Sequence, residues 1–297
     1  MGLLNLNFRE GSFLPALDPS HSMATALGDA ARNIAPGSPI VVLLHGFRYD
    51  PDVPSANPHT RLYANQTDPK LPKRQKSWPT ALGFRGLYED PGLCIALGWP
   101  ARGRLADAYD RAGQVGLALA DLLTALAALL PGHPIKLMAH SLGARVALCC
   151  LNALNAPHVA QAILLAPAEF KSVAERMLAN PATQNTEILQ ISPKENRLFD
   201  TILVHSLRRK ACGTALGQSP PAAPNWLSLN LDTASELKQL ASLGHAVSPR
   251  GAPICHWSAY LRGGLMELYT ELLIGPNRRS FRSVAESGVI PSALAAE

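Results

Sequence analysis

Short runs of apolar residues alternate along the chain with longer segments that repeat their apolar positions at helical spacing. Each short run is nearly continuous in apolar residues, which is typical of strands buried on both faces of a sheet. These runs occupy residues 39–45, 93–98, 134–140, 162–166 and 187–191. Residues 226–231 also form a candidate strand, where Leu alternates with polar residues as at a sheet edge, and residues 5–8 could supply one more.

Helical spacing in the connecting segments decides the fold class. It occurs over residues 105–130, 142–154, 170–178 and 258–273. Parallel strands need crossover connections, and these are usually helices. The alternation therefore predicts an α/β protein with a mostly parallel sheet and helices on both faces. The chain shows no internal repeat, so one domain over residues 1–297 is expected.

Two segments fall outside this alternation. Residues 49–78 contain five prolines between Pro51 and Pro72 and show no helical period. A connection of that length is usually a binding loop, a lid or disordered, and we expect a partly mobile flap that does not support the fold. It carries a basic group at Lys70, Lys73, Arg74 and Lys76. The second segment, residues 208–224, is rich in Ala, Pro, Gly and Arg.

Composition narrows the function classes. Apolar residues make up 47% of the 297 residues and charged residues 16%, which excludes intrinsic disorder. The net charge is +5, but neither basic run, at residues 70–76 or 208–210, carries interleaved aromatics, so a nucleic-acid partner is not expected. The five cysteines have no CxxC spacing, and neither a disulfide framework nor a metal or organic cofactor is expected.

Location is predicted from the apolar segments. The first residues lack the basic region of a secretory signal, and the most apolar stretch, residues 116–130, is short for a bilayer and carries Asp121. We therefore expect a cytoplasmic protein without membrane insertion. The sequence indicates no oligomeric state.

Residues 137–145, LMAHSLGAR, contain the clearest candidate for a catalytic residue, Ser141. An apolar strand ends just before Ser141, and a helix begins at once after it. This small-x-Ser-x-Gly pattern predicts a nucleophile elbow, in which small residues allow a sharp turn and the backbone N–H of Leu142 can stabilise an oxyanion. The alternative role for Ser141 is a helix N-cap.

The segment His45-Gly46-Phe47 closes an earlier buried strand. An oxyanion hole of the elbow type needs a second backbone N–H from such a loop, and Phe47 is the expected donor. Gly46 would let the chain turn close to the substrate. We expect His45 to orient this loop and not to act as the base.

A general base must come from the histidines that follow Ser141. His256 lies in a loop immediately before the last amphipathic helix and is favoured, with His245 in a less well bounded loop as the alternative. His158 precedes a strand at the opposite end of the sheet, and His205 lies inside a helical pattern.

An acid that orients the histidine is expected just after the strand at residues 187–191. Glu195 stands in the turn that follows this strand and is favoured. Asp200 is the alternative, one turn into the next helix.

Taken together, HGF, AHSLG, an acid after a later strand and a late histidine resemble the α/β-hydrolase superfamily over about residues 39–274. More narrowly, the segments HGFRYDP, GWPARG, AHSLGARVAL and CHWSAYLR are similar to a group of uncharacterised bacterial α/β-hydrolase proteins of the serine esterase and lipase type. The resemblance implies the α/β-hydrolase fold and a reaction class, and it implies no particular substrate.

The expected activity is hydrolysis of a small-molecule ester or thioester by a serine hydrolase, with Ser141 as nucleophile. A non-catalytic binding protein on the same fold and an acyltransferase with the same triad are the alternatives. Tyr49, Trp99 and Arg102 are candidate substrate-binding residues, with packing or solvation as their other possible roles.

Overall fold

Eight strands form one sheet in the computed structural model, which describes residues 2–32, 34–64, 76–85, 90–211, 213–252 and 254–275. The strands are β1 Leu3–Arg9, β2 Ser12–Pro15, β3 Ile40–Leu44, β4 Leu93–Gly98, β5 Ile135–His140, β6 Val159–Leu165, β7 Glu187–Ile191 and β8 Trp226–Leu229. Their order in the sheet is β2-β1-β4-β3-β5-β6-β7-β8, and every neighbouring pair is parallel except β1 with β2. The predicted α/β fold with a mostly parallel sheet is confirmed.

Helices cover both faces of this sheet. They are α1 Met23–Ala31, α2 Trp78–Ala81, α3 Leu105–Leu129, α4 Gly143–Ala153, α5 Lys171–Leu178, α6 Asn196–Leu207, α7 Ala234–Ser242, α8 Ser258–Leu261 and α9 Leu265–Ile274. One apolar core lies between the sheet and the layer that contains α3, α4 and α5. The other lies between the opposite face and the layer that contains α2, α8 and α9. All residues of β3, β4 and β5 are buried, as their continuous apolar runs predict.

Helix α3 packs its buried positions against the sheet and α4. By length and composition it could cross a membrane, and it is the one helix of the described residues that meets that test. The helix is the one predicted over residues 105–130, and taken whole it is long enough for a bilayer, although its most apolar stretch at residues 116–130 is short for one. Its buried residues include Ala112, Val115, Leu119 and Leu123, and burial in the core accounts for their apolar character.

The last predicted helix, over residues 258–273, is in fact two. The chain leaves helical geometry at Arg262, and Gly264 adopts a φ of 87°, which lies in the left-handed region. A Cβ on Gly264 would lie 2.2 Å from the carbonyl oxygen of Ala246, so the turn requires glycine. Apolar spacing carries through this break and conceals it from sequence reading.

The described part of the 49–78 segment belongs to the core, which corrects the expectation of a flap independent of the fold. Leu62, Tyr63 and Trp78 are buried, and the Tyr63 hydroxyl donates to the carbonyl oxygen of Leu43 at 3.1 Å. Residues 65–75, with Lys70, Lys73 and Arg74, lie outside the described residues. In the 208–224 segment, Leu216 is also fully buried.

Tyr63→Ala tests this placement. Truncating a buried aromatic side chain lowers the free energy of unfolding by about 3–5 kcal/mol, and we expect a loss of that size here. Chemical or thermal unfolding measures it. Ser55→Ala, at an exposed position of the same segment, is the control and should cost less than about 0.5 kcal/mol. Equal stability of the two variants would contradict the assignment of Tyr63 to the core.

Candidate active site

The candidate site lies where the order of strands reverses. From β3 the chain passes to β4 on one side, and from β4 it returns to β5 on the other side of β3. Loops that leave the carboxyl ends of β3 and β5 therefore diverge and leave a crevice, which is where open α/β sheets place their ligand sites. His45-Gly46-Phe47 follows β3, and Ser141 follows β5.

Ser141 occupies a strained turn between β5 and α4. Its φ is 54°, which non-glycine residues rarely adopt. Hydrogen bonds hold this geometry: the Ser141 N–H donates to Leu165, and the Ser141 carbonyl accepts from Ala144 and Ala168. Helix α4 begins at Gly143 and has Leu142 as its N-cap residue, so Ser141 is not the N-cap. The turn has the geometry that the elbow pattern predicts.

Glycines allow the two loops to approach each other at this point. A Cβ on Gly143 would lie 2.4 Å from the carbonyl oxygen of Leu44, and a Cβ on Gly46 would lie 2.7 Å from the Cβ of Ser141. Contacts that short do not occur between real side chains and backbone, so both positions exclude larger residues. The small residues of HGF and AHSLG thus bring the β3 loop against the serine.

His256 meets Ser141 directly. The serine Oγ lies 2.7 Å from Nε2 of the imidazole, at the distance of a strong hydrogen bond. Nδ1 of the same ring lies 3.1 Å from Oδ1 of Asn196. The ring of Phe199 packs on the imidazole, with ring centres 4.2 Å apart. From β5, Nε2–H of His140 donates to the carbonyl oxygen of His256 at 2.9 Å and holds its loop in place.

Burial lowers the pKa of His256 well below its usual value, and the neighbouring His140 lowers it further. A histidine with a depressed pKa is neutral at physiological pH, and only a neutral imidazole can accept the proton of a serine. The ring is therefore in the neutral form that can accept a proton from Ser141.

Glu195, the favoured orienting acid, makes no hydrogen bond to the imidazole of His256 within the described residues. The buried Glu195 carboxylate accepts hydrogen bonds from the guanidinium of Arg262, at 3.2 and 3.4 Å. Asn196, the first residue of α6, takes the position beside His256 instead, and its Nδ2 donates to Oδ1 of Asp200 at 3.0 Å. Asp200 thus reaches the histidine through an intervening amide. Sequence reasoning missed Asn196 because it considered only carboxylates for the orienting group.

His245 lies elsewhere. Its Nε2 is 2.8 Å from a carboxylate oxygen of Glu271 in α9, and this contact accounts for its near-complete burial. Of the two histidines that the sequence left open, His256 is the one that contacts Ser141.

Two backbone N–H groups beside Ser141 are expected to form an oxyanion hole. Within the described residues, neither the N–H of Leu142 nor that of Phe47 donates to a protein acceptor. His45 fixes the second of them: its Nδ1–H donates to the Gly46 carbonyl oxygen at 2.9 Å, and its Nε2 accepts from the Trp99 N–H at 3.1 Å. In a trans peptide the C=O and the N–H point in opposite directions. Holding the Gly46 carbonyl therefore also sets the direction of the Phe47 N–H.

The three expected substrate-binding residues have different surroundings. Trp99 is fully buried and stacks on His45, with ring centres 5.3 Å apart, so it packs behind the loop that follows β3. Arg102 is exposed to solvent, and its carbonyl accepts a hydrogen bond from Arg111. Tyr49 is half-buried, and its ring lies 5.2 Å from that of His45 in the same loop.

The fold and this site define the class of the protein as an α/β hydrolase. A family model described as "Alpha/beta hydrolase of unknown function (DUF900)" matches residues 33–209. This is more than half of the chain, so the chain belongs to that family. The match includes Phe47, Ser141, Leu142 and Asn196, whereas His256 lies beyond its end.

The chain is similar to a lipase-esterase related protein from Clostridium acetobutylicum ATCC 824, at 12% sequence identity and a TM-score of 0.34, over 65% of this chain and 85% of that chain. No curated protein matches the chain.

Proposed function

We propose that this protein is a serine hydrolase that cleaves a carboxylic ester or thioester through an acyl-enzyme on Ser141. The observation that carries the proposal is the 2.7 Å contact between the Ser141 Oγ and Nε2 of His256, made from a strained strand-to-helix turn. A nucleophile and a base within hydrogen-bond reach, with the base oriented by a third side chain, are the marks of an activated serine.

Acylation follows from this geometry. The Ser141 Oγ attacks the carbonyl carbon of the ester while Nε2 of His256 takes its proton. The resulting oxyanion accepts hydrogen bonds from the N–H groups of Leu142 and Phe47. When the tetrahedral intermediate collapses, the bond to the leaving oxygen or sulfur breaks, and His256 returns the proton to that atom. The acyl group remains on Ser141.

Deacylation repeats the steps with water. His256 takes a proton from a water molecule, whose oxygen attacks the acyl carbon, and the second tetrahedral intermediate uses the same two N–H donors. Its collapse releases the carboxylic acid and gives the proton back to the Ser141 Oγ. Asn196 orients the imidazole throughout, since its Oδ1 accepts from the Nδ1–H of His256.

A panel of p-nitrophenyl esters, from acetyl to palmitoyl, tests the proposal. We expect turnover of at least part of the series by the wild-type protein, with the dependence on acyl length reporting the size of the pocket. Release of p-nitrophenolate is followed by absorbance. Turnover that continues unchanged after Ser141 is replaced would contradict the proposed nucleophile, and an absence of both turnover and active-serine labelling would favour a non-catalytic binding protein.

Gly46→Ala is expected to lower kcat by up to about a hundredfold, because it displaces a donor whose complete removal from an oxyanion hole costs about a hundredfold to a thousandfold. The added methyl group would lie 2.7 Å from the Ser141 Cβ, so the loop that carries the Phe47 N–H must move. Gly28→Ala is the matched control, because a Cβ there meets nothing within 4 Å. If Gly46→Ala keeps the wild-type kcat, the β3 loop does not supply a donor.

A further inference from the structure

Asp200 is an unusual carboxylate for a purely structural residue. Its side chain is only 2% exposed, and Oδ1 accepts one hydrogen bond, from Nδ2 of Asn196. Within the described residues, Oδ2 has no hydrogen-bond partner. Gly217 lies directly over it, since a Cβ at that position would be 2.6 Å from Oδ2. A half-satisfied buried carboxylate costs stability, so its presence calls for another reason.

The reason lies in the direction of the hydrogen bonds that connect Asp200 to the nucleophile. An ionised carboxylate can only accept, so the amide of Asn196 must turn its Nδ2 toward Asp200. Oδ1 of the amide then faces His256 and accepts from Nδ1–H. With its proton on Nδ1, the neutral imidazole has a free electron pair on Nε2, the atom that faces Ser141.

We infer that Asp200 is a positioning residue: acting through Asn196, it selects the tautomer of His256 that can accept the proton of Ser141. The inference rests on the proposed serine hydrolase and extends it. A serine hydrolase usually places a carboxylate directly against the histidine. Here the neutral amide of Asn196 lies between Asp200 and His256, and the orientation of that amide depends on Asp200.

Protonation of Asp200 would reverse the direction of the hydrogen bonds that run from Asp200 through Asn196 to His256. A neutral carboxylic acid can donate to Oδ1 of Asn196, and the amide would then turn its Nδ2 toward His256. The imidazole would have to accept at Nδ1 and carry its proton on Nε2, where it cannot accept from Ser141. Burial raises the pKa of Asp200 to about 7, so we expect the rate to fall as the pH drops through about 7.

Most charged groups around Asp200 have other partners. The loop over it, residues 213–218, contains no ionisable residue. On α6 and the elements packed beside it, the pairs of charged or titratable side chains include Glu195 with Arg262, Arg208 with His205, and Lys210 with Asp110 of α3. Arg197 of α6 is exposed to solvent, and the Tyr109 hydroxyl of α3 donates to Glu169. His256, beyond the amide, stays neutral in this range because its own pKa is well below the usual value. The fall in rate on the acidic side of the pH profile, called the acid limb below, is therefore expected to follow the protonation of Asp200.

Asp200→Asn and the exchange Asn196→Asp/Asp200→Asn form a matched pair. Asp200→Asn leaves the amide of Asn196 without a fixed direction, and we expect kcat at about pH 8.5 to fall about tenfold, with the acid limb shifted below its wild-type position. The exchange has the wild-type composition but places the carboxylate on His256 and the amide behind it. The carboxylate at position 196 can only accept, so it again holds the proton of His256 on Nδ1, and kcat should return to within about threefold of wild type. Asp110→Asn, a surface carboxylate on α3, is the control.

Thermal unfolding separates positioning from structure. Removing a half-satisfied buried carboxylate should leave the melting temperature of Asp200→Asn at about pH 8.5 equal to or above that of wild type. A loss of activity without a loss of stability supports the inference. A wild-type rate and acid limb in Asp200→Asn would overturn it, and so would an exchange variant no more active than Asp200→Asn.

The imidazole 15N spectrum of the wild-type protein tests the inference even where a variant fails to fold. We expect His256 to carry its proton on Nδ1 at about pH 8.5 and to lose that preference below about pH 7. A proton on Nε2 at the higher pH would overturn the inference. This measurement needs no turnover, so it is distinguishable from failure of the proposed function, which would appear as wild-type protein that neither hydrolyses esters nor forms an adduct at Ser141.

Discussion

Ser141→Ala is expected to lower kcat/KM for the best p-nitrophenyl ester by at least about a thousandfold, because the remaining oxyanion donors and binding contacts cannot replace the acyl-enzyme. The side chain is small and almost fully buried, so the substitution removes one oxygen and leaves the turn in place. Initial rates under identical conditions measure the effect, and an unchanged melting temperature shows that the fold is intact.

A second serine provides the control for that experiment. Ser228→Ala lies on the edge strand β8, away from the crevice between the β3 and β5 loops, and should keep the wild-type rate. If Ser141→Ala and Ser228→Ala behave alike, the hydrolysis arises from another group and Ser141 is not the nucleophile.

His256→Ala should be nearly as inactive as Ser141→Ala. Members of a nucleophile–base pair act as a unit, so removing either one abolishes most of the catalysis that both supply. The structural basis is the contact between Nε2 of His256 and the Ser141 Oγ. The measurement is kcat/KM on the same ester, with the melting temperature recorded in parallel.

His245→Ala is the matched comparison for the base, because it removes a buried histidine whose partner is Glu271. We expect it to retain most of the wild-type kcat/KM, with its cost appearing in stability. The opposite pattern, an inactive His245→Ala and an active His256→Ala, would move the base to His245 and contradict the geometry of the site.

Most of the sheet, but not the short edge strand β2, and the serine turn could be predicted from the sequence because local patterns determine them. Strands buried on both faces need continuous apolar residues, which makes β3, β4 and β5 visible as runs. The edge position of β8 follows from its alternation with polar residues. The turn at Ser141 needs small neighbours at a strand-to-helix junction, and these neighbours are adjacent to it in the sequence, where a motif can be recognised.

The rest of the site depends on contacts between distant residues. Glu195 and Asn196 are adjacent, and which of them faces His256 depends on the start of α6 and on the partner that Arg262 provides for Glu195. The spacing of apolar residues does not predict which of the two adjacent side chains faces the histidine. The same holds for Tyr63, which lies in a proline-rich segment but packs against the central strand β3, where its hydroxyl donates to the Leu43 carbonyl oxygen.

Covalent labelling with a fluorophosphonate tests the central claim most directly. The probe phosphonylates a serine whose hydroxyl is activated by a base, and its use requires no knowledge of the natural substrate. We expect intact-mass analysis to show one adduct on the wild-type protein and peptide mapping to place it on Ser141, while His256→Ala stays unlabelled at the same exposure. A wild-type protein that takes up no probe, or takes it up at a residue other than Ser141, would contradict the assignment of Ser141 and His256 as nucleophile and base.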